Sequence, residues 1–169
     1  MKHGGQIPLN ASLLDLGQVR RLDTLLEALE EGMPPDAVVY VEGAAFASDV
    51  RAALAALPSI PEEQRRTDLR GTLLPVPESF HIPVRSGVLG VLRELEQRHA
   101  SPEVCTHVAV YRGNEILALA HDAADASLLV GRLARDAVEK MRRVVERDAA
   151  TPRGPWFIDR VRRFLRRGE

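Results

Sequence analysis

The stretch "THVAVYRGNEILALAH", residues 106 to 121, leaves the chain few choices. Two runs of alternating apolar residues flank a Gly-Asn pair, the pattern of a β-hairpin. Gly113 at the first loop position and Asn114 at the second suit a two-residue type II′ turn, whose backbone twist matches that of its strands. Arg112 and Glu115 then face each other as an opposite-charge cross-strand pair. In this register Tyr111 meets Ile116, Ala109 meets Ala118, His107 meets Ala120 and Cys105 meets Asp122. Alternation places Cys105, His107 and Asp122 on one face, with Leu117, Leu119 and His121 on the other.

Cys105, His107 and Asp122 are the residue types of a thiol-dependent or hydrolytic active site. Their expected arrangement argues against that use. Directly opposed residues have Cβ atoms about 5 Å apart, so the Asp122 carboxylate would face the sulfur and disfavour a thiolate. A one-residue slip or bulge would instead bring His121 beside Cys105 and His107, with His81 or Glu103 as a fourth zinc ligand. The turn chemistry favours the first register, so no metal is expected. Cys105 then reads as a small buried residue, and His107 as a histidine hydrogen-bonded within the sheet.

The rest of the chain alternates helical and strand patterns. "GQVRRLDTLLEALEEG" carries Val19, Leu22, Leu26 and Leu29 at helical spacing, with Gly32 and Pro34-Pro35 ending it. "AVVYV", residues 37 to 41, reads as a strand buried on both faces. A helix follows in "SDVRAALAALP" with Ser48 as its expected N-cap. A second strand is expected in "TLLPV", and "PESFHIPVRSG" reads as irregular. "GVLGVLRELEQRHA" is helical with Ser86 as cap, "SLLVGRL" is a possible further strand, and "ARDAVEKMRRVVERD" is a helix with Val138, Met141 and Val145 inward.

This order predicts an α/β (mixed α+β) single domain. Its mixed sheet of four to five strands combines a parallel βαβ unit with the antiparallel hairpin. The succession of a βαβ unit, a helix, a hairpin and a helix resembles the thioredoxin-like arrangement. The turn "GAAFASDV" carries none of the paired cysteines that a redox role would require. Residues 1–150 form the expected domain, and 151–169 a basic amphipathic helix packed on it or on a second subunit. Within that helix Trp156, Phe157 and Phe164 offer an apolar stripe, and Arg160, Arg163 and Arg167 a basic face.

Composition narrows the classes further. The chain has 169 residues, 45% hydrophobic and 28% charged, and a single cysteine. That length holds one sizeable core, and one cysteine excludes an internal disulfide framework. The net charge of −1 hides a split: the chain is basic from Gly131 onward and acidic before it. The tail could therefore attract its own body or an anionic partner such as nucleic acid. No apolar run is long enough to cross a bilayer, and the N-terminus lacks a secretory core, which together suggest a cytoplasmic protein.

Two further places could hold a ligand. Glu42, Gly43 and Ser48 lie where the first buried strand ends, a common location for crevices in α/β folds. His81, framed by Pro77 and Pro83, could act as an acid or base on a rigid loop. No chemical motif is complete, and no cofactor is implied. The expected function is a binding or interaction module that could pair as a homodimer through its last helix. The alternatives are an enzyme centred on Cys105 and an anion-binding protein using the arginine-rich tail.

Overall fold

In a computed structural model of the chain, residues 13–71, 77–121, 123 and 126–151 are described. Six strands form one open sheet: β1 (Leu14–Val19), β2 (Val38–Gly43), β3 (Glu78–Pro83), β4 (His107–Arg112), β5 (Glu115–His121) and β6 (Ala126–Val130). Their spatial order is β1-β6-β5-β4-β2-β3, and every pairing is antiparallel. The helices are α1 (Leu22–Gly32), α2 (Ser48–Ala56), α3 (Val88–Glu96), the single turn α4 (Ser101–Val104) and α5 (Arg135–Ala150). The mixed α+β class holds, while the sheet is larger than expected and entirely antiparallel.

The parallel βαβ unit is therefore corrected, and the thioredoxin-like comparison with it. After β2 the chain forms α2, then crosses the opposite face of the sheet. It re-enters at the end it left, with Gly43 beside Glu78 and Val38 beside Pro83. The strand also lies later than "TLLPV", residues 72–76, which fall outside the described residues. "ESFHIP", read as irregular, forms the edge strand β3. Pro83 closes it at the last position, where an edge strand tolerates a missing N–H.

Helix α1 is shorter than its apolar spacing suggests, because Gly17 to Val19 belong to β1. A β-bulge between Asp15 and Gln18, with Gly17 at φ 108°, kinks that edge strand. Neither expected serine cap is used. Ala47 precedes α2, and Gly87 at φ 79° precedes α3 while Ser86 Oγ donates to the Pro83 carbonyl.

One face of the sheet carries the helices. Leu22, Leu25, Leu26 and Leu29 of α1, Leu89 and Leu92 of α3, and Met141 and Val145 of α5 pack there against Val39, Val41, Val108 and Val110. The other face holds a smaller cluster, Tyr40, Ala109, Tyr111 and Leu119, capped by Leu69. Leu69 lies on the crossing segment, here the strap, Ser59–Gly71. Both faces of β2 are thereby covered, which is why "VVYV" reads as a continuous apolar run. "SLLVGRL" does join the sheet through β6, between β1 and β5.

The expected C-terminal helix, including Trp156, Phe157, Arg160, Arg163, Phe164 and Arg167, lies outside the described residues. Among the described residues, no helix is long and apolar enough to cross a membrane.

Candidate functional site

The hairpin departs from its expected register by one bulge. Arg112 faces Glu115 and Tyr111 faces Ile116 as expected, with Gly113 at φ 55° in the turn. A register shift between Val110 and Tyr111 then pairs Val110 with Ala118, Ala109 with Leu119 and His107 with His121. Ala118 and Ala120 consequently join the helix-side core, and His121 comes to the face of His107.

Cys105 does not join them. It ends the α4 turn instead of opening β4, and its side chain sits in the helix-side core at 1% exposure. Burial, then the nearby Glu96 carboxylate, pushes its thiol up to about 12. The expected Cys105–His107 cluster is thus split across the sheet, and Asp122 lies outside the described residues.

Polar residues gather instead on the strap side. Tyr40 and Glu42 alternate on β2, His81 stands opposite Tyr40 on β3, and His107 stands opposite Glu42 on β4. The row Glu42–His107–His121 therefore runs across three neighbouring strands at one level. All but His121 are buried, Glu42 and His107 at 0% and 2% exposure.

Hydrogen bonds organise this cluster. The Tyr40 phenol donates to Glu42 Oε2 at 2.6 Å, and the Gly71 N–H donates to the same oxygen at 2.9 Å. The carboxylate thus ties the end of the strap to the sheet. Burial first, and the Glu42 carboxylate second, hold the Tyr40 phenol well above its ordinary range. His81 Nδ1 lies 2.9 Å from the Tyr111 hydroxyl. Burial, with Arg65 adding to it, lowers His81 to about 4, and burial raises Tyr111. Both partners of this hydrogen bond are therefore uncharged at neutral pH.

His107 is the exception. Its ring stacks on that of His121 at 4.4 Å and meets Tyr40 edge-on at 5.9 Å. Among the described residues neither ring nitrogen has a hydrogen-bond partner, although the backbone of Leu69 and Ala120 lies near enough to favour a positive ring. Burial, then the neighbouring His121, lowers His107 to about 4, so it is neutral under ordinary conditions. Among the described residues, no three His, Cys, Asp or Glu side chains converge to hold a metal ion.

Beside the cluster, the strap and the hairpin turn enclose an open groove of about 650 Å³. Val38, Ile60 and Tyr111 form its floor; Asp36, Glu63 and Asp68 share its rim with Arg65, Arg66 and Arg112. Arg66 builds one wall. Its guanidinium pairs with Asp68, Nε to Oδ1 at 2.8 Å, and its Nη1 donates to the Asn114 carbonyl at 2.6 Å. Arg65 donates to the Ile60 carbonyl and to Ser59 Oγ.

Of the residues singled out from sequence, Glu42, His81 and His107 come together. Gly43 ends β2 and the exposed Ser48 opens α2, so neither meets that cluster. Tyr40, Tyr111, Arg65 and Arg66 escaped notice. The two-residue spacing of Tyr40 from Glu42, and of Tyr111 from Ala109 and His107, could have flagged the tyrosines. Nothing local announces that the strap covers them. No family model, curated protein or solved structure matches the chain.

Proposed function

We propose that this domain is a binding module for a small polar ligand, taken up in the groove between the strap and the hairpin turn. The groove itself carries the reading. Its volume lies within the range of small-molecule sites, and its apolar floor with a polar rim is their usual construction. The rim sets three acids against three arginines, which favours a ligand bearing both charges over a polyanion such as nucleic acid. No observation favours the thiol-enzyme alternative, since the sulfur is enclosed and its proton tightly held.

Backbone amide NMR with a panel of free amino acids and dipeptides tests the reading. Shifts should centre on Thr67, Gly113 and Asn114, and weaken in Asp36→Lys. Shifts confined to the helices, or none at millimolar ligand, reject it. A second copy or protein partner on the C-terminal segment belongs to the same reading, supported by the amphipathic pattern of residues 156–167, and cytoplasmic residence is proposed with it. Truncation after Thr151 should then change the elution volume; an unchanged volume removes the dimer.

A further inference from the structure

We propose that the strap Ser59–Gly71 is an acid-released clasp, held down at neutral pH over unprotonated His107 and His81 and lifted when they take up protons. The inference stands whether or not the groove binds a ligand. Among the described residues, three sets of bonds hold the strap. At its start, the Ile60 N–H and Ser59 Oγ both donate to the His81 carbonyl at 3.1 Å. At its middle, Arg66 reaches the Asn114 carbonyl, and at its end the Gly71 N–H reaches Glu42. Between the last two, fully buried Leu69 plugs the small apolar cluster.

The strap presses directly on His107. A Cβ on Gly71 would lie 2.8 Å from the imidazole ring, so backbone and ring are in close contact. An imidazolium needs acceptors for two N–H groups; among the described residues neither ring nitrogen of His107 has a hydrogen-bond partner, although the nearby backbone of Leu69 and Ala120 would favour its charge. The groups facing it are Tyr40 and Glu42 from β2, His121 and the Ala120 backbone from β5, and the Leu69 backbone from the strap. Glu42 favours a positive charge there, but its Oε2 already accepts from Tyr40 and Gly71; a protonated His121 opposes one. His81 faces Tyr40, Tyr111 and the cationic Arg65 of the strap; no carboxylate is among them, and Arg65 opposes a second cation. Both imidazoles therefore gain protons far more readily in water than beneath the strap.

The direction follows from linkage. Both histidines titrate near 4 when covered, against about 6.5 in water. Acid therefore favours the lifted form, by about twenty-fold between pH 7 and pH 5 for each histidine that reaches solvent.

Hydrogen–deuterium exchange of the full chain between pH 7.5 and pH 5, corrected for intrinsic exchange, tests this. Protection at Ile60 and Gly71 should fall at least about twenty-fold, while amides of α1 and α5 keep theirs. His107→Phe retains a flat ring beneath Gly71 and should remove that histidine's share of the loss. Should this variant not fold, NMR titration of the His107 ring in the unmodified protein decides: a midpoint below pH 5 supports the clasp, and one near 6.5 overturns it. Unchanged strap protection, loss shared equally with the helices, or an undiminished loss in a folded His107→Phe would each overturn it as well.

Discussion

Cys105 and His107 stand two positions apart yet serve opposite faces of the sheet. The α4 turn holds Cys105, whose N–H donates to the Ser101 carbonyl, so strand alternation starts only after it. An enclosed thiol titrating at about 12 should not react. Alkylation at pH 8 is expected to be negligible in the folded protein and rapid in denaturant; fast labelling without denaturant would contradict this placement. Glu42 gives the complementary case. Its carboxylate accepts from Tyr40 and Gly71 in a fully buried site, where losing one charged partner costs about 1–3 kcal/mol. Glu42→Gln should therefore lower the urea midpoint at pH 7 and loosen the Gly71 amide in exchange, and an unchanged midpoint would count against the bond network.

At the level of elements, the contact between α1 and α5 turns on a few side chains. Near the C-terminal end of α5, Asp148 accepts from the Arg20 N–H at 3.0 Å, Arg21 Nε at 2.7 Å and Thr24 Oγ1 at 3.0 Å, gathering the start of α1. Burial alone would raise its pKa, but these donors hold it below the ordinary carboxylate value. Asp148→Ala strands three donors and should cost about 2–4 kcal/mol in urea unfolding. At the other end of the pair, a Cβ on Gly32 would lie 2.3 Å from Met141 Sδ. Gly32→Ala should destabilise despite alanine's better helix propensity, by about 1–3 kcal/mol, and Met141→Ala should relieve part of that loss in a double-mutant cycle. Additive effects would mean that the two residues do not meet. The helix pattern made these elements legible: Leu22, Leu26 and Leu29, and Met141 with Val145, face inward as their spacing requires. Strand direction was not legible, because a continuous apolar run records burial on both faces and says nothing of the neighbour's orientation. The bulge at Val110 was hidden for a related reason. Turn chemistry sets the register only as far as the ladder stays regular, and one extra residue in β5 exchanged the faces of Leu119 and Ala120.

Across the whole molecule the two faces should respond differently to acid. The helix side is an apolar core, whereas the strap side buries two neutral histidines beside tyrosines and a carboxylate. Their collection there was only partly legible, since His81, His107 and Glu42 stand out in the sequence but strand order alone brings them to one place. A histidine lowered from 6.5 to about 4 in the folded state contributes stability that is complete above 6.5 and lost as pH falls toward 4. Asp148, held below its ordinary value, contributes above that value and loses its share at still lower pH. The urea midpoint should therefore be flat from pH 8 to 7 and fall between pH 6.5 and 4, by on the order of 1–3 kcal/mol per histidine. The carboxylates should add a second decline below pH 4. In a His81→Phe, His107→Phe double variant only this lower decline should remain. A wild-type midpoint that stays level from pH 6.5 to 4.5 would mean that the imidazoles reach water in the folded protein, and that the strap does not cover them.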